Sequence, residues 1–328
     1  MTPAETAVYL DQILAPLHER YRTLNDGEVA TYIPELAKAN PDHFGICLTT
    51  LDGVTHAFGD CDQEFTIQSI SKPLVYGMAL AALGREGVHK KVGVEPTGDA
   101  FNAIILDEKT RRPFNPMVNA GAIATAALVP GKTLAERRES VLATFSAAAG
   151  RRLSIDEKVY QSELETGHRN RAIAHLMLNF GMIEGDVTEI LDLYFMQCSI
   201  LVNCRDLAMI GATLANVGTN PVTKEHVFET ASVQDVLSVM FTCGMYDYAG
   251  EWAVRVGIPA KSGVAGGILA VINRQFGIGT YSPRLDAQGN SLRGIKACAD
   301  LADELGLHAF NFMNSGSQFM KSVLPSAR

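Results

Sequence analysis

The pentapeptide Gln68-Ser69-Ile70-Ser71-Lys72 places two hydroxyls and an amine within five residues, directly after the apolar run Phe65-Thr66-Ile67. A serine hydroxyl is a poor nucleophile until a neighbour takes its proton, and a lysine can do so only when burial or nearby cations lower its pKa. If a strand ends near Gln68 and a helix begins there, residues three apart share a face and adjacent ones do not. Ser69 then meets Lys72, while Ser71 faces Leu74 and Val75 and has no local base. Pro73 is acceptable in a first turn, where amide donors lack partners in any case. The outward N–H groups of a helix start also favour developing negative charge, which an oxyanion needs. Taken alone, S-x-x-K is a short pattern, and a helix start followed by an exposed lysine is the simpler account of it.

A second segment, Pro259 to Gly267 ("PAKSGVAGG"), carries Lys261-Ser262-Gly263. This has the form of the K-T-G element that accompanies S-x-x-K in penicillin-recognising serine enzymes, where a strand edge sets a lysine and a hydroxyl beside the nucleophile. Gly263, Gly266 and Gly267 let backbone approach a ligand closely. On its own the segment reads equally as a glycine-rich bend in a strand. The chain contains no Ser-Asp-Asn, which weakens the case for β-lactam hydrolysis.

The elements that must hold these groups are legible in outline. An opening amphipathic helix is expected from Val8, Leu10, Ile13, Leu14 and Leu17, packed on a sheet. Asp52-Gly53, between two runs of strand formers, predicts a hairpin. From about 69 to 246 the pattern is helical, with Ala172, Leu176 and Phe180 four apart before Gly181, and Gly218 closing "RDLAMIGATLANVG". Strand character returns in "GGILAVIN" and "FGIGTYS", "LDAQGN" reads as a turn, and a last amphipathic helix runs from Gly294 to Leu305. The expected fold is α+β in a single catalytic domain. Residues 1–68 and 247–328 build one sheet region, and about 69–246 form an inserted helical region.

Composition removes several function classes. With 47% hydrophobic residues in 328, the chain can bury a large core, and 36 acidic against 28 basic residues leave a net charge of −8 without the basic patch of a nucleic-acid binder. Pro113 to Gly131 is free of charge and roughly as long as a membrane span, but its prolines and asparagines predict a buried helix instead. No secretory signal opens the chain, so a cytoplasmic protein with reduced thiols is expected. The six cysteines show no paired spacing, and His168 and His175 lie seven apart, so neither a metal nor another cofactor is called for.

Longer strings carry a specific resemblance: "YIPELAK", "QSISKP", "NPMVNAGAI", "SELETGHRN", "YFMQCSI", "CGMYDYAGEWA" and "PAKSGVAGGI". Together they resemble the serine-dependent glutaminase family, whose β-lactamase-like fold, shared with penicillin-binding proteins, sets an antiparallel sheet among helices. The matching strings run from Tyr32 to Ile268, and weaker similarity continues to about Leu307. The resemblance implies hydrolysis of L-glutamine to L-glutamate and ammonia, with Ser69 as nucleophile and Lys72 as its partner. It further implies a substrate pocket drawn from Tyr32, Asn119, Glu163, Asn170, Tyr194, Tyr246 and the Val264 N–H, supported by Lys261, Ser262 and Gly263. These types suit a zwitterion with a neutral amide: an anion (Glu163) for the α-ammonium, neutral donors (Asn119, Asn170) for the α-carboxylate, and the Ser69 and Val264 N–H groups for the oxyanion. Either Lys72 or Tyr246 could be the immediate base. A homo-oligomer, dimer or tetramer, is also implied, with no membrane or nucleic-acid partner. Two other functions use the same residues: a penicillin-recognising hydrolase or esterase, and an amino-acid sensor that binds without turnover.

Overall fold

The computed structural model describes residues 3–311. Among the described residues there are eight strands: β1 Gly45–Thr50, β2 Thr55–Gly59, β3 Phe65–Thr66, β4 Ser154–Ile155, β5 Ile200–Val202, β6 Ala260–Gly263, β7 Gly267–Ile272 and β8 Phe276–Tyr281. Five form an antiparallel sheet in the order β2-β1-β8-β7-β6, so both ends of the chain contribute to one layer. The hairpin expected at Asp52-Gly53 joins β1 to β2, with Thr49 opposite Thr55 and Gly53 at φ +87°. A small second sheet, β3-β5-β4, joins β3, just ahead of the helical stretch, to β5 and β4 inside it. Sequence periodicity cannot register its members, because strands of two or three residues hold no full alternation.

The helices are α1 Pro3–Tyr21, α2 Ser71–His89, α3 Asn119–Ala126, α4 Leu134–Ala149, α5 Glu157–Thr166, α6 His168–Asn179, α7 Val187–Cys198, α8 Cys204–Ala215, α9 Thr230–Cys243, α10 Ala249–Arg255 and α11 Leu292–Leu305. Side chains alternate across the sheet. Ile46 and Leu48 of β1, with Ile268 and Ala270 of β7, pack with Leu10, Leu14 and Leu17 of α1, Trp252 of α10 and Leu301 of α11. On the opposite face Cys47, Leu269 and Val271 meet Leu207, Ala208 and Ile210 of α8. The glycines of β8 permit that close approach: a Cβ on Gly277 would stand 2.2 Å from the Ala212 nitrogen. The sheet is thus covered by helices on both faces, consistent with the α+β expectation.

Helical spacing marks α1 and α6 without settling which of their residues face inward. Val8 is 57% exposed, and the buried stripe of α1 is Leu10, Ile13, Leu14 and Leu17. In α6 the buried residues are Ile173, Ala174 and Met177, while Ala172 and Phe180 face outward. Spacing by four fits a helix whichever stripe is inward, so period alone does not choose the face. The charge-free stretch at 113–131 yields only the eight-residue α3, buried throughout. Among the described residues no helix is long and apolar enough to cross a membrane.

Gly244 joins α9 to the turn that carries Tyr246, and its carbonyl accepts from Ser262 N of β6 at 3.1 Å. A Cβ there would lie 1.7 Å from the Ala260 carbonyl oxygen. Gly244→Ala is therefore expected to lower stability by roughly 3 kcal/mol or more, by forcing backbone apart. Denaturant melts of the variant check this, and an unchanged midpoint would contradict it.

Candidate active site

β3 ends at Thr66, and the chain then turns sharply at Gln68, whose φ of +50° lies in the left-handed region that few non-glycine residues occupy. Gln68–Ile70 form one turn of 3-10 helix, and α2 starts only at Ser71. The expected α-helix at Ser69 is thus a tighter turn, in which residues three apart eclipse one another. Ser69 is buried at the edge of a cavity. Ser71 is committed elsewhere: its hydroxyl donates to the Gln68 carbonyl at 2.7 Å and accepts from Gln197 Nε2 at 3.2 Å.

Lys72 is fully buried. Its Nζ donates to Asn119 Oδ1 at 2.7 Å and to the Met117 carbonyl at 3.2 Å, both at the entrance to α3. Burial lowers its pKa to about 8, opposed by the negative fields of Cys198 and Glu163 when ionised. Spacing sets Lys72 on the Ser69 side of the turn. The amine's two donor bonds go to the α3 entrance, which leaves the third position on nitrogen for another partner.

Tyr246 approaches from the other end of the helical stretch, also in the left-handed region at φ +57°. Its hydroxyl donates to the Ser262 carbonyl at 3.0 Å. Burial pushes its pKa up, while the Ser69 side chain and Ser262 pull it down. Lys261 is equally buried, with its Nζ 4.2 Å from the Tyr246 ring centroid and donating to the same Ser262 carbonyl at 2.7 Å. Burial, reinforced by repulsion from Lys72, holds the Lys261 amine well below the usual lysine range. β6 runs so close to the serine turn that a Cβ on Gly263 would lie 3.0 Å from the Ile67 carbonyl oxygen. The next N–H, that of Val264, has no acceptor among the described residues.

A cavity of about 220 Å³ brings together Tyr32, Ser69, Asn119, Glu163, Asn170 and Tyr194. It is smaller than the roughly 300 Å³ at which drug-sized ligand sites begin, which suits a small metabolite. Lys72 lies behind Asn119, Tyr246 lines a separate space of about 490 Å³ that shares Phe101 with the first, and Val264 borders another of about 380 Å³. Asn119 Nδ2 donates to Asn170 Oδ1 at 3.0 Å, so the two amides form an oriented pair. Burial raises the Glu163 pKa to about 7, against the opposing pull of Gln68 and Lys72.

Three further residues at the cavity were not assigned roles from sequence. Gln68 accepts from the Tyr32 hydroxyl at 3.3 Å, donates to Thr66 Oγ1 at 3.2 Å and bears on Glu163. Its position beside Ser69 was the available signal. Phe101 packs on the Tyr246 ring at 4.5 Å between centroids, and its carbonyl accepts from Asn119 N. Arg169 lines the cavity from the first turn of α6. Among the described residues no group of His, Cys, Asp and Glu side chains is arranged to hold a metal.

The arrangement offers an alcohol, two desolvated amines, a phenol and a buried carboxyl around a small cavity, a set suited to acyl transfer from an amino-acid amide. Comparison with known proteins agrees. The family model described as Glutaminase matches residues 27–310. The chain is 56% identical to a glutaminase of Nostoc sp. (strain PCC 7120 / SAG 25.82 / UTEX 2576) over 306 residues, covering 93% of this chain and 92% of the relative. It is 58% identical to a glutaminase of Microcystis aeruginosa (strain NIES-843 / IAM M-2473), covering 90% and 87%. A solved structure described as a probable glutaminase from Bacillus subtilis, complexed with 6-diazo-5-oxo-L-norleucine, superposes with a TM-score of 0.83 at 37% identity, covering 92% of this chain and 96% of that one. Matching strings, a shared fold and a family model spanning most of the length converge on one conclusion: the chain belongs to the glutaminase family.

Proposed function

We infer that the protein hydrolyses the side-chain amide of L-glutamine to L-glutamate and ammonia through an ester on Ser69. The observation that carries this is the cavity that sets Ser69 beside buried Glu163 and the Asn119–Asn170 pair. Glu163 receives the α-ammonium, and the amide pair contributes donors to the α-carboxylate. The side-chain carbonyl then points to Ser69, whose N–H and that of Val264 meet the developing oxyanion.

Lys72 is assigned as the base. A neutral amine has two N–H donors and one lone pair, and the Met117 and Asn119 oxygens occupy both donors. The remaining lone pair takes the Ser69 proton as Oγ bonds to the amide carbon. The ammonium so formed protonates the nitrogen, the C–N bond breaks, and ammonia leaves an ester. Water repeats the sequence: Lys72 accepts its proton and returns one to Ser69 as the ester bond breaks. Tyr246, kept a neutral phenol by burial, gives its O–H to the Ser262 carbonyl and leaves its oxygen to accept from the resting Ser69 hydroxyl.

The pKa shifts give the direction of the pH dependence. Glu163 binds an ammonium only when ionised, above about 7. Lys72 accepts a proton only when neutral, above about 8. kcat/KM for L-glutamine is therefore expected to rise by roughly a hundredfold or more from pH 6 to pH 9. An ammonia-release assay over this range, run with L-glutamine, L-asparagine and D-glutamine, tests both the reading and its pH sign. Binding of L-glutamine without ammonia would make the protein a sensor, and turnover of β-lactams or esters with glutamine ignored would make it a hydrolase of another class.

A homo-oligomer belongs to the same reading, supported by Val254 and Phe310, which are 79% and 81% exposed on segments tied together by a His308–Ala253 hydrogen bond. The cytoplasmic location is supported by six buried cysteines, all thiols.

A further inference from the structure

α6 opens with two arginines, two positions apart, that are used differently. Arg171 is committed to structure: its guanidinium lies 5.9 Å from the Phe195 ring centroid and donates to the Leu164 carbonyl. Arg169 makes no hydrogen bond or ion pair among the described residues, is exposed, and lines the cavity that contains Ser69. An arginine kept free at a cavity rim is available to a ligand anion.

The other charges sharpen what that anion is. Glu163 is the carboxyl lining the cavity, and Arg169 is the cation lining it, since Lys72 lies behind Asn119. The neutral donors cover an α-carboxylate incompletely, because one Asn119 N–H is already spent on Asn170. A carboxylate has about four lone-pair sites to satisfy. The free N–H groups of the first turn of α6 add positive potential on the Arg169 side.

We propose that Arg169 is a specificity-determining residue that recognises the α-carboxylate of the entering amino acid, selecting free α-amino acids over carboxylate-blocked amides. This rests on the reading of the Ser69 cavity as the glutamine site and adds the residue that reads the acid end. At the rim the contact acts chiefly on capture, so it is expressed in KM and in salt dependence rather than in the chemical step.

The test compares wild type, Arg169→Gln and Arg169→Lys. Arg169→Gln raises KM for L-glutamine about tenfold with kcat within about twofold, and removes most of the rise in KM that wild type shows between low and high sodium chloride. Arg169→Lys recovers part of both, and L-glutamine methyl ester is turned over alike by all three. Unchanged KM and salt dependence in Arg169→Gln would overturn the proposal, as would an equal penalty on the methyl ester. Calorimetric titration with L-glutamate keeps the two readings separate. If wild type releases no ammonia, the glutamine reading fails, yet about tenfold weaker glutamate binding by Arg169→Gln still supports the proposal, and equal binding overturns it.

Discussion

Ser69→Ala is expected to reduce ammonia release from L-glutamine by about 10⁴-fold or more, the scale on which nucleophile removal acts in serine enzymes. Folding and glutamate binding should survive, because the Ser69 hydroxyl belongs to the cavity rather than to the core. Ser71→Ala is the matched control and reverses the pattern. Its hydroxyl ties the Gln68 carbonyl to Gln197, so its removal should lower stability by about 1 kcal/mol and leave most activity in place. Rapidly quenched wild-type enzyme should carry a glutamyl mass on the peptide containing residues 68–72. Loss of activity in Ser71→Ala with retention in Ser69→Ala would exchange the two serines and refute the assignment.

Lys72→Met should combine a large loss with a gain. Activity falls by about 10²- to 10⁴-fold as the proton acceptor disappears. Stability moves the other way at neutral pH. The folded-state pKa of about 8 lies below the ordinary 10.5. Between these values the unfolded chain holds a proton that the folded chain does not, so the wild type is stabilised as pH rises and loses that contribution as pH falls through the window. At pH 7 the burial penalty is full, on the order of 3 kcal/mol. Methionine fills similar space without it, although the Asn119 and Met117 oxygens lose a donor, at about 1–3 kcal/mol. The clean measurement is the difference: relative to wild type, Lys72→Met should be more favoured at pH 7 than at pH 10 by about 2–3 kcal/mol in denaturant melts. A pH-independent difference would show that Lys72 keeps an ordinary amine pKa in the folded state, which rules it out as a base near pH 8.

Sequence carried the frame of the molecule because its signals are local. The Asp52-Gly53 turn, the β-rich runs of β7 and β8 and the stripe of α1 each specify structure within a dozen residues. Spacing does not choose a face: Val8, Ala172 and Phe180 follow helical period yet are exposed, since burial is decided by what packs against the helix. The serine turn was placed correctly after a strand, but its 3-10 geometry depends on β6 lying against it. Among the site residues, Lys72 was suggested by spacing, whereas Tyr246, Glu163 and the asparagines were found only through longer matching strings. Gln68 and Arg169 escaped a role because their meaning is relational. One joins Tyr32 to Glu163, and the other is defined by having nothing to join.

Gln68 and Tyr246 both hold left-handed backbone without being glycine, one before the helical stretch and one after it. Each is strained by about 1–3 kcal/mol and persists only because surrounding packing overrides it. β6 bears on both turns: its Ser262 carbonyl accepts from the Tyr246 hydroxyl, and a Cβ on its Gly263 would lie 3.0 Å from the Ile67 carbonyl oxygen beside Gln68. The two strained turns thus share one support, and a disturbance of that strand reaches both at once.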